Sequence, residues 1–70
     1  MKTLSQIRKK ANYLKNKLSK TKNIYENFGD KEQRQLNDFI GNEWDYDYFT
    51  RLEINNIQSD FFNFCINYSL

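Results

Sequence analysis

Residues 42–49, Asn-Glu-Trp-Asp-Tyr-Asp-Tyr-Phe, interleave aromatic side chains with carboxylates. Trp44, Tyr46 and Tyr48 combine large area with few rotors, the property that makes Trp and Tyr prominent in protein contacts. Glu43, Asp45 and Asp47 set negative charge beside them, so the same residues can imitate the phosphates and bases of a nucleic acid and compete for a basic groove. The chemistry on offer is recognition of a partner. On a helix this alternation would not share one face, so some of the aromatics are expected at the surface. The competing use is closure of one end of the core by Trp44 and Tyr48, which so short a chain needs.

A second constellation lies at the other end of the chain. Residues 1–23 carry eight positive charges and no negative one, while residues 24–70 carry three positive and nine negative, so a net charge of +2 conceals a strongly divided molecule. Arg8, Lys15 and Lys22 are seven residues apart, as are Lys10 and Lys17, and Lys9 lies opposite the apolar seam. Seven residues of helix rise about 10 Å, a step suited to following a phosphate backbone. Arg8, Lys9, Lys15, Lys17 and Lys22 are therefore candidate nucleic-acid contacts. The plainer reading is a solvated face whose lysine stems cover the seam. A helix-turn-helix is not expected: the connection Asn-Ile-Tyr-Glu-Asn-Phe-Gly-Asp is long for the turn, and the would-be reading helix carries Glu32, Asp38 and Glu43.

Catalytic and metal chemistry have little to work with. The chain has no His and a single Cys65, so the usual zinc and redox spacings are absent, no internal disulfide can form, and no cofactor or metal is expected. Asp45-Tyr46-Asp47 opens like a calcium loop, but Phe49 and Thr50 stand where the third ligand and the glycine belong. Without His, a general base would be a carboxylate, Lys or Tyr in a small core, so no enzyme is expected. No apolar run reaches membrane-spanning length and Met-Lys-Thr-Leu-Ser-Gln-Ile-Arg-Lys-Lys lacks the core of a signal peptide, so the expectation is a cytoplasmic chain away from the membrane.

Seventy residues make one domain, 1–70, near the size at which a single core is marginal. The periodicity predicts three helices. Leu4, Ile7, Ala11, Leu14 and Leu18 form one stripe, with Thr3 and Gln6 as a capping box, over about 4–23. Asp30 as N-cap with Leu36, Phe39 and Ile40 predicts a second helix over 31–43, which Gly41 either ends or weakens. Ile54, Ile57, Phe61, Phe64 and Tyr68 predict a third over 46–68, with Phe49 and Leu52 extending its face backward, Asp45 or Asp47 as cap, and Ser59-Asp60 as the one place it can break. The expected architecture is a small all-α antiparallel three-helix bundle.

Residues 25–38, Tyr-Glu-Asn-Phe-Gly-Asp-Lys-Glu-Gln-Arg-Gln-Leu-Asn-Asp, carry Glu26, Asn27, Phe28, Gly29, Lys31, Glu32, Arg34, Leu36 and Asp38. This stretch resembles an ENFG-x-KE-x-R-x-L-x-D motif of short uncharacterised proteins from phages and mobile elements of low-GC bacteria. The resemblance covers a fifth of the chain and implies a setting and a turn-helix element, not an activity. In that setting small charge-divided proteins are often similar to inhibitors of host enzymes or defence nucleases, the anti-CRISPR proteins among them. The expectation is a non-enzymatic inhibitor of a host protein or nucleoprotein effector, contacting it through residues 43–48 in the bacterial cytoplasm. Two alternatives stand beside it: a nucleic-acid-binding accessory protein using the first helix, and a self-associating structural protein, since heptad-spaced seams also serve a homodimer.

Overall fold

The structure is a computed structural model that describes residues 2–21 and 29–69, the side chains of 21, 68 and 69 excepted. Among the described residues it is an all-α bundle of three helices: α1 Leu4–Thr21, α2 Asp30–Ile40 and α3 Tyr48–Ser69, with a short 3-10 turn, Glu43–Asp45, before α3. Lys22 and the motif residues Glu26, Asn27 and Phe28 lie outside the described residues, as does the expected end of the first helix at 23.

Local signals set most of the boundaries. The capping box is formed as expected: Thr3 N–H donates to Gln6 Oε1 at 2.8 Å and Gln6 N–H to Thr3 Oγ1 at 3.2 Å, satisfying two donors that have no partner within the helix. The start of α2 differs from the expectation. Gly29, in the left-handed region at φ 68°, occupies the cap position, and Asp30 instead stands in the first turn, where it pairs with Arg34 at 3.1 Å. That helix ends at Ile40 rather than 43, because Gly41 turns to φ 81°, ψ −146°, a conformation nearly closed to residues with a Cβ. Asn42 then accepts a hydrogen bond from Trp44 N–H at 3.0 Å, and Asp47 caps α3 by accepting from Thr50 N–H at 2.7 Å. The third helix therefore starts at 48 rather than 46, and it runs through Ser59 and Asp60 unbroken.

Packing gives the order up, down, up. Arg8 pairs with Glu53 and Lys15 with Asp60; the offset is the same in both pairs, so α1 and α3 run parallel. Gly29, at the start of α2, sits against Leu18 and Cys65 near the ends of α1 and α3, whereas Phe39, at its end, lies beneath Lys2 and Lys10, so α2 runs back between them. The core is Ile7, Ala11, Leu14, Leu18, Leu36, Ile40, Tyr46, Ile54, Phe61 and Cys65, with Leu4, Phe39, Ile57 and Phe64 packed at its margin. Phe49 and Leu52 do not extend this face: both are exposed. At 100° per residue Leu52 lies about 160° round the helix from Ile54, and one turn back along the true seam stands Thr50.

Candidate functional site

The α2–α3 corner carries most of the surface aromatics. Trp44 stands on the 3-10 turn and is 73% exposed. The Arg51 guanidinium lies 4.8 Å from the centre of its ring, and Arg51 Nε is buried there without a hydrogen-bond partner. Stacking thus orders both the ring and the cation on the outside of the bundle. Tyr48 and Phe49, 61% and 77% exposed, meet edge to face with centroids 5.6 Å apart. Glu43, Tyr48, Arg51, Leu52 and Asn55 border a shallow groove of about 210 Å³. Phe49 and Leu52 therefore belong to this surface, and the reason for missing them is their helical phase: their 3-residue spacing mimics a core pair, but their angle to Ile54 separates them from it.

Tyr46 is the correction within the expected contact segment. It is 6% exposed, its hydroxyl donates to the carbonyl of Ile40 at 2.7 Å, and the same oxygen accepts from Lys2 N–H at 3.3 Å. An extended backbone at this residue, φ −111° and ψ 152°, turns its ring inward while its neighbours face out. The end of the core is closed by Tyr46, not by Trp44 or Tyr48. Glu43, Asp45 and Asp47 are exposed, but Asp47 has a structural duty. Its carboxyl is held below the usual carboxylate range first by the Thr50 backbone N–H, then by the Thr50 hydroxyl, with Arg51 adding to the effect. Glu43 and Asp45 are the carboxylates that flank Trp44 with no ion pair among the described residues.

The basic helix divides into two flanks. Arg8 and Lys15 face α3 and pair with Glu53 at 3.3 Å and Asp60 at 2.9 Å; Lys15 also lies over the Phe64 ring. Such exposed pairs contribute about 0–1 kcal/mol each, yet they neutralise part of the row that the heptad spacing picks out. On the other flank Lys9, Lys17 and Lys20 are exposed, with no ion pair among the described residues. Tyr13, 61% exposed, stands between Lys9 and Lys17 on this flank, and Lys10 Nζ lies 5.5 Å from its ring centre. Lys22, the remaining candidate of that row, lies outside the described residues.

Among the described residues no three His, Cys, Asp or Glu side chains converge on a common point, and no helix is long and apolar enough to cross a membrane. Cys65 is fully buried beside Gly29. No protein-family model, curated protein or solved structure matches the chain.

Proposed function

We propose that this chain is a non-enzymatic binding protein that inhibits a partner protein by seating its aromatic-acidic corner on a cationic, nucleic-acid-binding surface of that partner. The observation that carries the reading is Trp44, the chain's one tryptophan, left 73% exposed in a molecule small enough to need every large side chain in its core. Trp44, Tyr48, Phe49 and Leu52 supply the apolar area, and Glu43 and Asp45 the charge that steers a basic groove toward it. The phage or mobile-element setting implied by residues 26–38 makes a host defence effector the partner class of choice.

The same tryptophan provides the test. Partners captured on the immobilised chain from a nuclease-treated bacterial lysate are added back to the free protein, and Trp44 emission is followed. The expected result is a blue shift with one partner, and loss of capture of that partner by the folded triple variant Trp44→Ala, Glu43→Gln, Asp45→Asn. Equal retention of every partner by that variant would sink the reading.

A second reading is favoured by the unpaired flank of α1. Lys9, Lys17 and Lys20 flank an exposed Tyr13, and cations along a backbone track with a ring for base stacking are the elements of single-strand binding. Its test is a salt series with labelled single-stranded nucleic acid, where phosphate-dominated affinity falls steeply with salt. Replacing Lys9, Lys17 and Lys20 with Gln is expected to abolish such binding, and replacing Arg8 and Lys15 to leave most of it.

A further inference from the structure

Beyond the core seam, α3 carries a second seam on its outer side. Tyr48, Leu52, Asn55, Ser59, Phe62 and Ile66 recur at spacings of 4, 3, 4, 3 and 4, the heptad pattern that keeps one stripe facing a neighbouring helix. Tyr48, Leu52, Asn55, Ser59 and Phe62 are exposed and Ile66 is half-buried. No charge interrupts the stripe. Of the three charged residues of α3, Glu53 and Asp60 pair with α1, while Arg51 stacks on Trp44 and, with Glu43, borders the Tyr48 end of the stripe. Asn56 and Asn63 beside the stripe are also neutral. On its α2 side the stripe borders an open groove of about 470 Å³ lined by Gln33, Asn37, Gln58 and Asn63 among others, again without a charged side chain.

We infer that this face binds a second copy of the chain, through an antiparallel α3–α3 contact about a two-fold axis level with residue 57 on the outer side of the helix. An isologous contact brings a surface against itself, so each charge on it meets its own sign. The outward face of α1, which is basic and holds no acid, cannot satisfy that condition, and the outward face of α2 is mixed; the outer face of α3 satisfies it everywhere beyond the Arg51 end. Amides and hydroxyls donate and accept at once, which lets Asn55, Ser59 and the flanking asparagines match their own copies.

Antiparallel pairing follows from the order of residues along the stripe. About an axis near residue 57, Leu52 meets Phe62 of the second copy, Tyr48 meets Ile66, and Asn55 meets Ser59, so apolar faces apolar and polar faces polar. A parallel pair would instead set the acidic corners, Glu43 and Asp45, beside each other. The 22 residues of α3 span about 33 Å. Interfaces below about 1,200 Å² in total are weak and transient, and a stripe with three exposed large apolar side chains, Tyr48, Leu52 and Phe62, belongs to that class. The dimer is accordingly reversible and concentration-dependent.

Sedimentation equilibrium of the full chain tests it. The expected mass rises from 8.6 kDa toward twice that value as concentration approaches about 1 mM, and Leu52→Lys with Phe62→Lys returns it to the monomer while circular dichroism shows the helices intact. Neither residue belongs to the buried core, and the circular dichroism separates loss of the contact from loss of the fold. Register is read by mixing Asn55→Cys protein with Ser59→Cys protein under mild oxidant: covalent dimer is expected in the mixture and little in either alone, with Cys65 buried and silent. Monomer mass at every concentration overturns the inference, as does a dimer that survives the two lysines, or Asn55→Cys protein that cross-links alone as well as in the mixture. Trp44→Ala, Glu43→Gln, Asp45→Asn protein should still dimerise, which keeps this result separate from the partner-binding reading.

Discussion

A Cβ placed on Gly29 would stand 2.8 Å from the Sγ of Cys65 and 3.2 Å from Cδ1 of Leu18. The glycine at the head of α2 is thus required twice, by its left-handed backbone at φ 68° and by the closeness of the ends of α1 and α3. Gly41 is different: at φ 81° it has nothing within 4 Å of such an atom, so only its backbone demands glycine.

Gly29→Ala is expected to combine a left-handed backbone cost on the order of 1–2 kcal/mol with an overpacking cost of about 1–3 kcal/mol. Combining it with Cys65→Ala removes the closer of the two contacts and leaves the backbone cost and the Leu18 contact. In urea denaturation the double variant should therefore be less destabilised than the two single losses added together, by about 1 kcal/mol or more. Strict additivity would show that the thiol does not press on this turn.

Burial raises the Cys65 thiol to about 11, with Glu32 adding to the shift and Lys15 opposing it. The unfolded thiol ionises near 9.0, so between that value and about 11 the unfolded chain has lost a proton that the native one retains. Stability is then full below pH 9.0 and falls toward pH 11, with a slope of at most about 1.4 kcal/mol per pH unit. Denaturation midpoints of wild type and Cys65→Ala should diverge only below that window and converge within it. At neutral pH a thiol reagent should modify Cys65 no faster than the chain opens.

Trp44 and Tyr46, two residues apart, are predicted to respond in opposite ways. Tyr46→Phe deprives the Ile40 carbonyl of its buried donor and should cost about 1–2 kcal/mol. Trp44→Ala removes a largely exposed ring and its stack on Arg51, worth at most about 1 kcal/mol in stability, yet it should remove partner binding. Thermal unfolding and a binding measurement on the same two variants separate the core tyrosine from the surface tryptophan.

The same pair shows where sequence patterning is informative and where it stops. Thr3 and Gln6 form the capping box that their spacing describes, and Ile7, Ala11, Leu14 and Leu18 are buried in the order their period requires, because both relations are local to one helix. The alternation at 44–48 contains no such local rule. Which aromatic turns inward depends on Gly41 ending α2 and on the Ile40 carbonyl waiting six residues back, and this is a tertiary relation. The Arg8–Glu53 and Lys15–Asp60 pairs likewise depend on the register of two helices distant in the chain. Heptad spacing marked both rows of cations as available, and packing took up Arg8 and Lys15 of the first; Lys9 and Lys17, candidates with them, stay outside the ion pairs together with Lys20.

Asp47 links the fold to acid. Its carboxylate accepts the Thr50 N–H at 2.7 Å and its pKa is lowered from 3.8, so the native state holds the charged form more tightly than the unfolded chain does. The contribution of this cap is present above pH 3.8 and is lost as pH falls through the lower native value, because the protonated group accepts the N–H poorly. Asp47→Asn retains a side-chain acceptor without the titration. The variant should therefore melt at a lower temperature than wild type at pH 6, with the gap closing as the solution is acidified. A gap that stays constant down to pH 2 would mean that the Asp47 charge does not hold the start of α3, and that the 3-10 turn carrying Trp44 is positioned by Asn42 and Tyr46 alone.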